Sequence, residues 1–174
     1  MVPFFLIFFL LQGCKSKEVT PSIVSENEKS KTQNYGPLEF ITPGVDDANC
    51  YLKLKDKIIY EHHCAGTPDN VVYYSRGFYN YADDDMVTVT PPDILILNRY
   101  DSDGCNPGEY VFVVVYESGD YFVEVIGNCL GIIETSRDTK GMTIHFPSGP
   151  VGANSIASAL TYVFDYKTKK LEVK

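Results

Sequence analysis

Apolar and polar residues alternate with a period of two along much of this 174-residue chain, as in Leu-Lys-Leu-Lys at 52–55. This period is typical of half-buried β-strands, because successive side chains point to opposite faces of a sheet. The stretch Ile94-Leu95-Ile96-Leu97 is apolar at every position, which predicts a central strand buried on both faces. No segment keeps the 3.6-residue period of an amphipathic helix.

Turn residues between these strands predict hairpins. Glu117-Ser118-Gly119-Asp120 joins two β-branched and aromatic segments at 111–116 and 121–126. A second hairpin is predicted from Cys50 to Cys64, with its turn at Asp56-Lys57 and Cys50 directly opposite Cys64. A third covers 160–173. The count of about nine or ten short strands predicts an all-β fold, an antiparallel β-sandwich or small barrel.

The first part of the chain has a different pattern. An apolar run of eight residues from Phe4 to Leu11 ends in Leu11-Gln12-Gly13-Cys14. This stretch resembles the lipobox of bacterial lipoproteins, and the resemblance covers about the first fifteen residues. It implies removal of residues 1–13, acylation of Cys14, and attachment to the lipid bilayer through that residue. The run is shorter than the roughly 20 residues of a membrane-spanning helix and fits a signal peptide.

After Cys14, the chain divides into a tether and a domain. Residues 14–35 are rich in Ser, Lys, Glu and Thr, which predicts a lipidated N-terminus followed by a flexible tether. Residues 36–174 are predicted to form a single β-rich domain, long enough to bury its own core. Because Lys15-Ser16 lacks the Asp that retains lipoproteins at the inner membrane, the resemblance implies an outer-membrane location facing the periplasm.

Four cysteines remain besides the lipidation residue: Cys50, Cys64, Cys105 and Cys129. An exported chain enters an oxidising compartment, where an even number of cysteines predicts disulfides. Four cysteines allow three pairings, and the hairpin geometry favours Cys50–Cys64 and Cys105–Cys129. Each bond would then lock one hairpin.

The charge of the chain excludes one class of partner. Its formal net charge is -8, and residues 15–35 contribute +1, so the predicted domain carries about -9. An acidic domain repels phosphate backbones, so we expect no nucleic-acid binding.

No cofactor or metal is predicted. In His62-His63-Cys64 the two histidines would point to opposite faces of a strand, and an oxidised Cys64 cannot bind a metal ion. Asp101-Ser102-Asp103-Gly104, with Glu109, resembles the start of a calcium loop but matches no EF-hand spacing, so an ordinary turn is favoured.

No catalytic motif is present either. The chain has no Gly-x-Ser-x-Gly elbow, P-loop or dinucleotide fingerprint. Ser155 and Ser158 lie among small residues, and nothing in the sequence links them to His145. A triad assembled in space stays open, because triads depend on geometry and not on sequence order.

The candidate binding surface is an aromatic and acidic segment. Strand alternation places Tyr73, Tyr79 and Tyr81 on one face, with Tyr74 and Arg76 on the other. Tyr and Arg are enriched at binding hot spots, although cross-strand aromatic packing is the alternative explanation. The predicted surface comprises Tyr73, Tyr74, Arg76, Tyr79, Tyr81, Asp83, Asp84 and Asp85.

These observations predict a membrane-anchored envelope lipoprotein whose β-domain binds another protein, as an inhibitor or immunity protein does. The comparison with inhibitors rests on general features, namely a small, acidic, disulfide-bonded and anchored domain, and not on a sequence motif. The alternatives are a hydrolase of envelope polymers and a structural component of an envelope assembly. A deep pocket around His145 or the Asp101–Glu109 loop would favour the hydrolase, whereas an exposed Tyr/Arg or acidic surface would favour binding.

Overall fold

The structure is a computed structural model that describes residues 30–42, 44, 49–64, 70–77, 91–99, 109–152 and 154–174. These residues contain fourteen β-strands and no helix. Every strand pairing among them is antiparallel. The prediction of an all-β antiparallel fold is therefore confirmed.

The first sheet, called the N-terminal sheet, contains four strands in chain order. They are β1 (Lys31–Tyr35), β2 (Leu38–Thr42), β3 (Asn49–Leu54) and β4 (Lys57–His63). Along β3, burial alternates strictly, so that Leu52 and Leu54 are buried while Lys53 faces outward. The period of two read from the sequence thus gives one apolar face to this sheet.

The middle sheet also has its strands in chain order. They are β5 (Asn70–Ser75), β6 (Asp93–Arg99), β7 (Glu109–Val115) and β8 (Tyr121–Gly127). The four residues from Ile94 to Leu97 are all fully buried, and so are Val111 to Val114. This confirms the prediction of a central strand at Ile94–Leu97 and adds β7 as a second one.

The C-terminal sheet has the order β14-β13-β10-β9, and a separate two-stranded ribbon pairs β11 with β12. The six strands are β9 (Glu134–Arg137), β10 (Gly141–Phe146), β11 (Gly149–Val151), β12 (Ser155–Ala157), β13 (Leu160–Asp165) and β14 (Lys170–Val173). The Asp165 carboxylate accepts a hydrogen bond from the Thr168 backbone N–H at 2.6 Å, which fixes the predicted turn between β13 and β14.

Two apolar clusters show how the sheets pack. In the first cluster, Leu95, Leu97 and Val113 of the middle sheet pack with Phe40 and Leu52 of the N-terminal sheet. The second cluster joins the opposite face of the middle sheet to the C-terminal sheet; it includes Ile94, Ile96, Phe112, Val114, Met142, Ile144 and Phe164. The middle sheet therefore lies between the other two, and this explains why β6 and β7 are apolar at consecutive positions.

Two regions differ from the expectation. The strand β1 covers residues 31–35, which were predicted to be the end of the tether, so the folded part extends at least to Lys31. Four of its five residues are exposed, which explains the absence of an apolar signal. The ribbon β11–β12 occupies a stretch of small residues in which the sequence predicted no strand.

The hairpin between β3 and β4 forms, but in another register. Its turn is Lys55-Asp56, with Lys55 in the left-handed region (φ 56°), and a bulge follows on β4. As a result, Cys50 lies opposite His62 and not opposite Cys64. The predicted disulfide Cys50–Cys64 is nevertheless present, running diagonally with the Cα atoms 5.7 Å apart.

Several predicted positions lie outside the described residues. They are Cys14, Tyr79, Tyr81, Asp83, Asp84, Asp85, Cys105 and the segment 101–104. The predictions attached to them, including the signal peptide and the lipidation site, stay predictions.

Candidate functional site

A cleft of about 600 Å³ opens at the end of the stack where the N-terminal and middle sheets meet. It is formed by three turns and by the facing ends of β5 and β6. Its lining residues are Gly36, Pro37, Leu54, Lys55, Arg76, Gly77, Pro91, Pro92, Asp93, Val115, Tyr116, Glu117 and Gly119. A concavity of this size is within the range of ordinary ligand sites.

The β1–β2 turn approaches the cleft closely because it contains a glycine. Gly36 has φ 58°, in the left-handed region that other residues rarely adopt. A Cβ atom at this position would lie 2.6 Å from the Tyr74 hydroxyl oxygen and 3.0 Å from Asp93 Oδ2. The turn therefore packs against both side chains, and a larger residue would push it away from the middle sheet.

Asp93 organises the opposite wall of the cleft. Its Oδ1 accepts a hydrogen bond from the Gly77 backbone N–H at 2.6 Å, which links the end of β5 to the start of β6. Gly77 itself lies so close to the Pro91 carbonyl that a Cβ there would overlap it. This close backbone approach requires a glycine at position 77.

The cleft carries both signs of charge. Lys55 and Arg76 supply two cationic groups, and Asp93 and Glu117 supply two carboxylates. Arg76 is exposed, and its Nε donates a hydrogen bond to the Tyr74 hydroxyl at 3.4 Å. Such a site is suited to a polar segment that presents both charge types, because each charge can meet its opposite.

One wall of the cleft includes Tyr116, whose phenol is held in place by the fold. Burial, together with the negative charges of Asp165 and Asp120, raises the pKa of Tyr116 to about 12. Its hydroxyl donates to the Tyr166 carbonyl oxygen at 3.2 Å. The phenol is therefore protonated at neutral pH and acts there as a hydrogen-bond donor to the backbone.

The structure separates the residues of the predicted binding surface. Tyr73 packs against the cluster shared with the C-terminal sheet, and Tyr74 against the cluster shared with the N-terminal sheet. Tyr74 also meets Tyr35 edge to face, with ring centres 5.4 Å apart. Both tyrosines thus contribute to packing between sheets. Of the described residues of the predicted surface, Arg76 is the one that lines the cleft.

A second cluster lies at the open end of the β3–β4 hairpin. The potential ligand atoms of Cys50, His62 and Cys64 all lie within 4.8 Å of one another. Cys50 and Cys64 are buried, and His62 is only 9% exposed. His63 is exposed, as expected for the neighbouring position on a strand.

The adjacent pair His62-His63 in the sequence gives no sign of this grouping with Cys50. The available signal was the spacing of two between His62 and Cys64, which places both side chains on one face of the strand. The sulfur atoms are joined in the disulfide, and a disulfide sulfur does not act as a thiolate ligand.

The remaining described cysteine is Cys129, which is also disulfide-bonded. Its backbone has φ 65°, an uncommon value for a residue other than glycine. Since Cys50 and Cys64 bond to each other, the partner of Cys129 lies outside the described residues.

His145 has a different neighbourhood from the one a serine triad would need. It lies on β10 between Thr161 of β13 and Glu134 of β9. Its Nδ1 is 3.0 Å from Thr161 Oγ1. Ser155 is in the separate β11–β12 ribbon, paired with Val151, so the structure does not join it to the histidine through strand pairing.

Comparison with known proteins finds no matching family model, no matching curated protein and no matching solved structure. Within the part of the chain that the structure describes, no helix is both long and apolar enough to cross a bilayer.

Proposed function

We propose that the chain is a lipid-anchored protein of the bacterial cell envelope whose β-domain binds another envelope protein. The anchor rests on Leu11-Gln12-Gly13-Cys14. The Cys50–Cys64 disulfide supports an exported location, because disulfides persist in oxidising compartments and are rare in the cytosol. By resemblance to lipoproteins, the outer membrane facing the periplasm is the proposed site.

The observation that carries the binding function is the cleft with Lys55, Arg76, Asp93 and Glu117 on its walls. Gly36 lets the β1–β2 turn pack against Tyr74 and Asp93, and the Gly77–Asp93 hydrogen bond links the end of β5 to the start of β6, so these two walls are held by contacts within the protein itself. A preformed cleft loses little conformational entropy on binding. The proposed partner is a protein that inserts a loop carrying both a basic and an acidic side chain.

Two finer features of the fold belong to the same proposal. The three stacked sheets are proposed to form a β-sandwich with an additional layer, in keeping with the two apolar clusters. The second disulfide is proposed to join Cys129 to Cys105. With Cys14 acylated and Cys50 bonded to Cys64, Cys105 is the partner that remains.

The anchor is tested by metabolic labelling with a palmitate analogue in cells that express the chain with its leader. The natural chain should take up the label and sediment with membranes, because acylation makes the N-terminus hydrophobic. Cys14→Ala should do neither. The matched control is Cys105→Ala, which should keep the label, and membrane attachment of Cys14→Ala would contradict the anchor.

The binding function is tested by cross-linking in intact envelopes, followed by quantitative mass spectrometry of captured proteins. The double variant Lys55→Glu and Arg76→Glu should reduce capture of the partner at least about tenfold, since central charged residues carry much of an interface's free energy. The control Lys140→Glu and Lys167→Glu makes the same charge change at two exposed turns of the C-terminal sheet. Equal capture by both double variants would remove the cleft from the proposal.

A further inference from the structure

We infer that Cys50, Cys64 and His62 form a binding site for a thiophilic metal ion such as Zn²⁺ when the Cys50–Cys64 disulfide is reduced. The site is built from two neighbouring strands, and its three potential ligand atoms already lie within 4.8 Å of one another. Two thiolates and one imidazole are a donor set that proteins use for zinc, with a fourth position open to water or another ligand.

The hairpin pairing explains why the three side chains converge. His62 lies directly opposite Cys50 across the β3–β4 pair. Cys64 follows His62 by two residues, so its side chain returns to the same face of the strand. All three therefore occupy the buried face, while His63 lies on the other face and is exposed.

The distances fit an ion once the two bonded sulfur atoms move apart and the imidazole moves closer to them. Zinc bonds are about 2.3 Å to sulfur and about 2.0–2.1 Å to nitrogen, so two ligands of one tetrahedral ion lie roughly 3.4–3.8 Å apart. The cluster's limit of 4.8 Å is about 1 Å wider. Rotation of the cysteine and histidine side chains after the sulfur atoms separate can supply a movement of this size.

Burial of the two cysteines favours cation binding at the reduced site. Cys50 and Cys64 are 1% and 2% exposed, so a thiolate at either position would be almost without water. A buried anion without a partner is unfavourable. A divalent cation between the sulfurs neutralises both charges, and the neutral His62 ring provides a third bond.

The chemistry has two steps. A dithiol reductant transfers two electrons and two protons to the S–S bond, which breaks to give two thiols, and the reductant becomes a disulfide. The ion then binds both sulfur atoms and the imidazole nitrogen, and the two thiol protons pass to solvent. In the reverse direction, a disulfide oxidant accepts two electrons from the sulfurs and two protons from solvent and becomes a dithiol, while the Cys50–Cys64 bond forms again and the ion is released.

The test uses the full chain with the substitution Cys14→Ala. The protein is reduced with a dithiol, the dithiol is removed under argon, and the reduced protein is titrated with Cd²⁺ as the probe. Thiolate-to-metal absorbance should rise and saturate at one ion per chain. Alkylation of each cysteine, followed by mass spectrometry, should show Cd²⁺ protecting Cys50 and Cys64 but not Cys105 and Cys129. Absence of this absorbance, or equal protection of all four cysteines, would overturn the inference. The oxidised chain is the negative control and should show no thiolate-to-metal absorbance.

Two histidine variants separate the site from general thiol binding. Loss of a residue that merely supports a metal ligand costs about 10- to 100-fold in affinity, so His62→Gln should weaken Cd²⁺ binding at least tenfold. The matched control His63→Gln alters the neighbouring exposed ring and should bind as the natural chain does. Equal affinities of the two variants would remove His62 from the site.

If circular dichroism shows that His62→Gln does not fold, X-ray absorption on the reduced natural domain with Zn²⁺ decides the question. The expected first shell contains two sulfur atoms and one imidazole nitrogen. A shell of four sulfurs, or one without imidazole, would contradict the proposed site.

Discussion

The guanidinium of Arg137 joins the C-terminal sheet to the middle sheet. Its Nη1 donates to Ser75 Oγ at 2.7 Å and to the Arg76 carbonyl oxygen at 3.2 Å, while Nη2 donates to the Pro92 carbonyl oxygen. Its central carbon lies 5.6 Å from the ring centre of Tyr166. One side chain on β9 therefore holds the end of β5 and the approach to β6, next to the cleft.

These hydrogen bonds set the expected loss of unfolding free energy when Arg137 is replaced. A hydrogen bond to a charged group contributes about 1.5–3 kcal/mol, and bonds that share one guanidinium, one of them to the exposed Arg76 carbonyl, should not add fully. We therefore expect Arg137→Ala to lower the free energy of unfolding by about 3 kcal/mol. Arg137→Lys should lose about 2 kcal/mol, because a single ammonium cannot reproduce the planar fork.

The assay is equilibrium unfolding in urea with the disulfides intact. It is followed by tyrosine fluorescence and far-ultraviolet circular dichroism, because the chain has thirteen Tyr and no Trp. With a slope of about 2 kcal/mol per molar urea, Arg137→Ala should move the midpoint down by about 1.5 M. The exposed control Lys140→Ala should change stability by less than about 0.5 kcal/mol. A midpoint for Arg137→Ala within about 0.3 M of the natural chain would refute the reasoning.

Two further predictions concern a close backbone approach and the phenols of the partly buried Tyr116 and the buried Tyr166. A Cβ at Gly141 would overlap the Phe164 carbonyl across the β10–β13 pair, so Gly141→Ala should cost on the order of 2–3 kcal/mol in urea unfolding. Gly119→Ala has open space and φ 86°, so its cost should be limited to about 1 kcal/mol of backbone strain, and the reverse order would be evidence against the pairing. Burial raises the pKa of Tyr116 and of Tyr166 from 10.0 to about 12. Their contribution to stability is therefore complete below pH 10 and is lost as the pH rises through 12. The absorbance difference between the natural chain and the double variant Tyr116→Phe and Tyr166→Phe isolates these two among the thirteen tyrosines, and it should appear together with the loss of circular dichroism. A difference signal near pH 10 in a folded chain would contradict this.

The strands that the sequence predicted best are those whose neighbours are local in the chain. The β7–β8 hairpin has long β-branched segments on both sides of Glu117-Ser118-Gly119-Asp120, and the structure pairs them from Glu109 with Gly127 to Val115 with Tyr121. Ile94 to Leu97 is apolar at every position because both faces of the middle sheet are covered. In these segments the apolar pattern of the sequence and the burial in the structure both indicate the same strands.

The cleft could not be predicted in this way. Its walls come from turns and strand ends that are far apart in the chain, such as Gly36, Asp93 and Glu117. Periodicity describes which face of a strand a side chain occupies, but it does not say which turns lie at the same end of a stack. The β1 strand was missed for a related reason, since an exposed strand has no apolar face to produce a period.

The β3–β4 hairpin shows which inferences survive an error in register. The sequence placed Cys50 opposite Cys64, and the structure places it opposite His62, a displacement of two residues. At the open end of the hairpin a displacement of two leaves the side chains on their predicted faces, whereas a displacement of one would have moved the cysteine to the other face. Between the bulge and the turn, where Lys53 lies opposite Ile58, the displacement is three and Ile58 is exposed. The disulfide was therefore predicted correctly from an incorrect register, because the diagonal neighbour is also within reach. His62 lies on the same face of the hairpin as the two sulfur atoms, and the metal site proposed for the reduced protein depends on this shared face. The distances within the site depend on the observed register, in which His62 lies opposite Cys50.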